Sequence, residues 1–373
     1  MMRIYLDNNA TTGLDPQVLE AMLLDSSTTP LNPSSAHFFG QEAKKKLIRA
    51  REEIANFFCV LPSELVFTSG GTEAMNFLIR GLYREKGHII STEIEHSSVY
   101  NMLKHLEKQG AEVCFLPVGK WGAPLISQIE AAIQPHTHML VLSAVNSETG
   151  VKLDLGAAAR LAERKGILLV VDGVALLGKE LFSLPAGVAA MGFSGHKIHG
   201  PKGIGLALVR SSVKIDPLLI GGPQESSRRG GTENLAGILG LAKAISLLKE
   251  GVESHREKMC IERDRLIAGI RHEVGEISIN GEGPLISNTV NLSFPGISGE
   301  DLLILLDQEG LAVSHGSACS SGALEPSRVL INMGIARELA RSAVRFSLSR
   351  WTTDEEITRA IALTGALVKK LKN

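Results

Sequence analysis

Cysteine is scarce in this chain of 373 residues: Cys59, Cys114, Cys260 and Cys319 are its four, scattered and without a CxxC pair. That spacing excludes a disulfide framework and a zinc ribbon, and it predicts a reducing compartment. Excess charge of one sign is also missing, since 39 Lys and Arg face 40 Asp and Glu for a net charge of -1. With no long basic run, nucleic acid is excluded as the primary ligand, and small molecules or proteins are the expected partners. The opening Met1-Met2-Arg3-Ile4-Tyr5-Leu6-Asp7 lacks the apolar core of a signal peptide, and no apolar run is long enough to span a bilayer. A cytoplasmic protein with no membrane partner is expected. Internal repeats and low-complexity tracts are absent as well.

What is present suits a large core: 44% of the residues are hydrophobic and the mean hydropathy is +0.12. Short apolar runs at 65–68, 88–91, 113–116, 139–143, 167–171 and 205–209 alternate with helical patterns at 72–82, 97–109, 125–133 and 155–165. Runs apolar at nearly every position predict strands buried on both faces, so the pattern reads as βαβ units. After Gly251 the pattern changes to a charged helix at 254–273, a strand at 289–294, a helix at 300–308 and a terminal helix opened by Thr353-Asp354-Glu355-Glu356. Thr353 and Glu356 have capping-box spacing. The expected fold is therefore α/β, with a large domain over 13–250 and a smaller α+β domain over 251–373, residues 1–12 packing with the latter.

Five places carry chemistry. In Phe193-Ser194-Gly195-His196-Lys197-Ile198-His199-Gly200-Pro201, a lysine follows an apolar strand and precedes a sharp turn. Partly desolvated, Lys197 can form an imine with an aldehyde cofactor, and Ser194 and His196 can hold that cofactor's phosphate; an ordinary solvated lysine is the alternative. The strand-to-helix break Thr68-Ser69-Gly70-Gly71-Thr72-Glu73 points N–H groups at an anion, with Thr72 adding a hydroxyl, or is a plain capped turn. His96 follows a strand, where its flat ring can stack on an aromatic cofactor or serve structure alone. Asp172 closes an apolar strand and needs a positive partner, such as a protonated pyridine nitrogen, unless it caps the next helix. Asn146 lies past another strand, as a binding residue or a turn former.

Read in order, these segments resemble the class V aminotransferases, pyridoxal-phosphate enzymes of fold type I, and among them the NifS/IscS-type cysteine desulfurases. The resemblance covers nearly the whole chain. It runs from Tyr5-Leu6-Asp7-Asn8-Asn9-Ala10-Thr11-Thr12 through Gly71-Thr72-Glu73, Glu95-His96 and Ser194-Gly195-His196-Lys197. It continues through Arg229-Gly230-Gly231-Thr232-Glu233-Asn234 and Ser317-Ala318-Cys319-Ser320-Ser321 to Arg345-Phe346-Ser347-Leu348. The resemblance implies a large domain with a mostly parallel seven-stranded sheet and pyridoxal 5'-phosphate joined to Lys197. His96 would stack on the ring, with Asp172 on the pyridine nitrogen and Gly71, Thr72, Ser194 and His196 around the phosphate. It implies a homodimer in which Thr232 reaches the phosphate site of the other subunit, and Arg345 with Asn146 on the substrate carboxylate. Cys319, in a run of small residues expected to move, would take the sulfur of L-cysteine as a persulfide, release L-alanine and pass the sulfur to an acceptor protein for iron–sulfur clusters or thio-cofactors. Cys59 and Cys114 read as core residues and Cys260 as incidental.

The chain departs from the family at three positions. Where the family has Asp-Ala-x-Gln, whose glutamine donates to the cofactor's 3-hydroxyl, this sequence has Asp172-Gly173-Val174-Ala175; Ser226 replaces an expected arginine, and Ser147 a common asparagine. Two further readings follow: a related lyase acting on selenocysteine or another β-substituted amino acid, and a degenerate dimeric paralogue without catalysis. The housekeeping branch also carries a C-terminal extension that helps dock its scaffold partner, whereas this sequence stops at Leu371-Lys372-Asn373, so a different docking mode is expected.

Overall fold

The computed structural model describes residues 3–23, 30–315 and 326–372. Its strands are β1 (Ile4–Tyr5), β2 (Leu65–Thr68), β3 (His88–Thr92), β4 (Glu112–Leu116), β5 (Thr137–Ser143), β6 (Leu168–Asp172), β7 (Val188–Ser194), β8 (Gly205–Val209), β9 (Ser278–Ile279), β10 (Thr289–Ser293), β11 (Leu311–Ala312) and β12 (Ala343–Ser347). Seven of them form one sheet in the order β2-β8-β7-β6-β5-β3-β4. The run from β4 to β7 is parallel, and β8 lies antiparallel to both β7 and β2. The expected α/β fold, with a mostly parallel seven-stranded sheet, is what the chain adopts.

Burial on both faces explains the continuous apolar runs: every residue of β2, β3, β7 and β8 is buried. One core, under the helices Phe38–Phe58, Leu155–Lys165 and Leu235–Lys249, includes Leu47, Ile54, Leu142, Leu169, Phe193 and Leu241. The other face of the sheet packs Met75, Leu78 and Leu103 from the helices Gly71–Leu82 and Ser97–Lys108 against Ile89, Val141 and Val170. Each such side chain contributes about 1.5–3 kcal/mol relative to exposure.

A separate core brings Ile4 and Leu6 together with Leu266, Val290, Leu292, Phe294, Leu306, Val344, Phe346 and Val368. Around it lie the β12-β10-β9 sheet and the parallel β1-β11 pair. The terminal helix Asp354–Lys372 opens with the expected box: Thr353 N–H donates to Glu356 Oε2 at 2.8 Å, and Glu356 N–H donates to Thr353 Oγ1 at 3.2 Å. Among the described residues no helix is long and apolar enough to cross a membrane.

Parallel strands place their carboxyl ends on one edge of the sheet. Ser143 pairs with Asp172 and Asp172 with Gly192, so the loops after β3, β5, β6 and β7 leave side by side. Ligands bind at such an edge because the loops and helix N-termini converge there.

Candidate active site

The edge opens into a cavity of about 250 Å³. Gly71, Thr72, His96, Asn146, Asp172, Ser194, His196, Lys197 and Arg345 all line it, joined by Ala175, Lys179 and the N-terminal Asn8, Asn9 and Ala10. Two of the residues expected at the site are not in this group. Thr232 is exposed and lies outside the lining, and Cys319 lies outside the described residues.

Lys197 ends the short 3-10 turn Gly195–Lys197 that follows β7. Its ammonium donates to the carbonyls of Asn9 and of Ala10, the latter at 2.8 Å. The N-terminal segment is laced onto this turn: Thr12 N–H donates to the His196 carbonyl at 2.9 Å, and His199 N–H donates to Thr12 Oγ1 at 2.7 Å. Burial, then the Lys197 charge, pulls the His196 imidazole down to about 4, so it is neutral at physiological pH. His196 Nδ1 lies 3.1 Å from Thr11 Oγ1.

Asp172 ends β6 fully buried, and its Oδ1 accepts from Val174 N–H at 3.0 Å. Burial pushes its carboxyl up, opposed by the charges of His96 and Lys197. The residue therefore does cap the next turn, yet it stands as a buried acid whose ionised form gains from any cation brought beside it. His96 caps the helix Ser97–Lys108, accepting from Ser98 N–H at Nδ1, 3.1 Å away. Burial first and then the cations Lys197 and Arg328 push its imidazole down, while Asp172 pulls it up. Beneath it, the Glu95 carboxyl is buried and pushed up to about 7 by desolvation, although it accepts from Thr92 Oγ1 at 2.7 Å and Ser143 N–H at 2.9 Å.

Gly71 opens the helix Gly71–Leu82 against the wall of the cavity. A Cβ there would come within 2.9 Å of Val174 Cγ2 and 3.4 Å of Ser194 Cβ, so only glycine leaves this cradle open. A helix N-terminus beside Thr72, Ser194 and His196 suits a phosphate. With buried Asp172 and the flat ring of His96 on the same cavity, the residues fit a phosphorylated pyridine aldehyde.

Arg345, on β12, is buried; its guanidinium donates to Asp7 Oδ1 at 2.7 Å and to the Ser147 carbonyl at 3.1 Å. Its Nε has no hydrogen-bond partner among the described residues. Asn146 shapes the adjoining turn: its Oδ1 accepts from the N–H groups of Glu148 at 3.0 Å and Thr149 at 2.9 Å, and its Nδ2 donates to the Ile94 carbonyl at 2.9 Å. Ala175 lies in the lining, so that stretch of wall carries a methyl group in place of an amide.

A model of the aminotransferase class-V family matches residues 4–360. The chain belongs to that family. Its members are pyridoxal 5'-phosphate enzymes. All of this class-V chain aligns with 94% of the cysteine desulfurase of Trichormus azollae at 40% identity. Among solved structures, a NifS-like protein matches 99% of the chain over its own full length, with 34% identity and a TM-score of 0.91. A structure described as SspA in complex with cysteine matches 94% of the chain over its full length, with 31% identity and a TM-score of 0.84.

One expectation is corrected. Cys59 is exposed, not a core residue, because it caps the helix Phe38–Phe58 in the left-handed region (φ 54°), which turns the side chain outward. Cys114, in β4, is half-buried, and burial pushes its thiol up. Lys179, Asp7 and Asn9 were not legible as site residues in the sequence. Each is ordinary in its local context: Lys179 and Asn9 join the cavity, and Asp7 joins Arg345, only through contacts distant in the chain.

Proposed function

We infer that this protein is a cysteine desulfurase that converts L-cysteine to L-alanine. The observation that carries the reading is one cavity gathering Lys197, Asp172, His96 and Arg345, in a chain 40% identical over its whole length to a cysteine desulfurase. When bound, pyridoxal 5'-phosphate supplies an aldehyde that condenses with amines and a ring that accepts electrons.

The N–H groups at Gly71, the hydroxyls of Thr72 and Ser194, and neutral His196 would hold its phosphate. Asp172 would hold the ring nitrogen protonated, and His96 would stack on the ring. Lys197 would be the covalent anchor for the aldehyde, and its amine would move the proton at the substrate's α-carbon. Arg345 binds the substrate carboxylate through a charge-assisted pair, oriented by Asp7 and by the turn that Asn146 shapes. The Cys319 thiolate attacks the substrate sulfur. The new S–S bond forms as the C–S bond breaks, the carbon keeps the electron pair and takes up a proton as the methyl of alanine, and Cys319 is left as a persulfide. An acceptor protein then takes the outer sulfur, for iron–sulfur clusters or thio-cofactors.

The same reading makes the protein a homodimer. On this reading Thr232, exposed and outside the lining of its own cavity, would reach the phosphate site of a second copy. It divides the chain into a cofactor domain (13–250) and a smaller domain (251–373) with residues 1–12 packed on it, in the cytoplasm.

Steady-state alanine formation from L-cysteine tests this. Arg345→Ala is expected to raise KM on the order of 100-fold, the loss of one charge-assisted contact worth about 3 kcal/mol. An unchanged KM would remove Arg345 from the substrate site.

A further inference from the structure

Lys179 stands in the wall of the cavity with no part in the reaction described above. It is buried, and its ammonium donates to the main-chain carbonyl of Lys197 at 2.5 Å. Its own carbonyl accepts from Ser287 Oγ at 2.7 Å. One residue thus joins the loop after β6, the turn that carries Lys197 and the segment entering β10.

Burying an ammonium for one carbonyl contact is costly, and a methionine would fill similar space without that cost. The groups facing Lys179 offer no compensating charge. Lys197 lies on the turn, His199 two residues beyond it, and Arg350 after β12, the last held by Asp15 at 2.5 Å. The neighbouring Glu180 is engaged by Lys152 at 3.1 Å. Among the described residues Lys179 makes no carboxylate pair. Burial first, then the charges of Lys197 and Arg350, bring its amine down to about 7.

We propose that Lys179 is a positioning residue for Lys197, clamping its turn through the carbonyl and opposing a proton on its amine by like-charge repulsion within the same buried wall. The inference rests on the reading of Lys197 as the cofactor lysine. Because repulsion between two charges is mutual, Lys179 acts on Lys197 only while it is itself protonated, below about pH 7. Neutral Lys179 still clamps but no longer repels.

The test follows irreversible fixation of pyridoxal 5'-phosphate on Lys197 by cyanoborohydride, read by mass spectrometry of the full chain from pH 6 to pH 9. Lys179→Gln keeps a donor and removes the charge, Lys179→Met removes both, and Lys179→Arg keeps the charge throughout. At pH 6 fixation is expected to be about tenfold faster in the wild type than in the glutamine variant. That ratio is expected to collapse by pH 8, while the arginine variant stays ahead. The methionine variant shows the same pH dependence below a uniformly lower rate, and it replaces the glutamine variant in the comparison if the latter does not fold. A wild-type to glutamine ratio near one, or one independent of pH, overturns the proposal and leaves Lys197 as the cofactor lysine. Absence of fixation on wild-type Lys197 at every pH overturns both.

Discussion

Arg345 and Asp7 stand 338 residues apart in the chain and are joined at 2.7 Å, the arginine side chain 3% exposed. The parallel β1-β11 pair and the burial of Leu6 bring Asp7 to β12, so the N-terminal segment fixes the arginine assigned to the substrate carboxylate. Removing one partner of a buried pair leaves the other charge uncompensated, at a cost of about 3–5 kcal/mol. Asp7→Ala is therefore expected to lose about 3 kcal/mol of stability in urea unfolding and to raise KM for cysteine more than it lowers kcat. A variant as stable as the parent, with the same KM, would show that Asp7 does not set the arginine.

A second buried pair holds a strained turn. Glu225, Ser226 and Ser227 all adopt positive φ (49°, 58° and 62°). The Glu225 carboxylate anchors them, accepting from Arg51 at 2.5 Å and from Phe67 N–H at 3.0 Å. Left-handed backbone costs a side-chain-bearing residue about 1 kcal/mol, which glycine avoids while losing more chain entropy on folding. Ser226→Gly is expected to be neutral or stabilising by up to about 1 kcal/mol, and Arg51→Ala destabilising by about 3 kcal/mol. Denaturant midpoints of the two variants check this, and a clear loss for Ser226→Gly would contradict the strain argument.

Glu95 gives the fold a pH dependence. Burial raises its carboxyl from 4.5 to about 7, so the folded state holds this proton over a range where the unfolded chain has released it. With fewer protons bound in the unfolded state, stability falls as pH rises through that window. The loss is complete above about pH 7 and amounts to about 3 kcal/mol, at about 1.4 kcal/mol per decade. Glu95→Gln keeps the acceptor for Ser143 and cannot ionise. Urea unfolding at pH 5 and pH 8 is expected to show the wild type losing stability relative to this variant as pH rises. Equal slopes would refute the assignment.

Much of the fold was legible because its signals are local. The apolar runs at 65–68 and 205–209 are the strands β2 and β8 to the residue, and the Thr353–Glu356 box caps the last helix as its spacing predicts. At the site, Lys197, His96, Asp172 and Thr72 each follow a strand or open a helix on the carboxyl edge of the sheet, which is why motif order predicted that they meet. Lys179 and Asp7 were hidden because their partners, Lys197 and Arg345, are adjacent only in the folded chain. Asn146 carried two readings, and in the structure its side chain shapes the turn while the residue also lines the cavity. Cys59 misled because Phe57 and Phe58 suggest burial, while the left-handed cap that exposes it has no sequence signal beyond the helix end.

The central claim is that substrate sulfur passes to Cys319 while Lys197 and its neighbours hold the cofactor. The most direct measurement is a quench of cofactor-loaded protein mixed with L-cysteine, quantifying alanine and the mass of the Cys319 peptide in wild type and Cys319→Ser. The account predicts alanine matched one for one by a 32 Da gain on Cys319, the mass of one sulfur atom, in the first turnover. It also predicts that the serine variant still shifts the cofactor's visible band on binding cysteine but makes no alanine. Equal alanine from both proteins would contradict it.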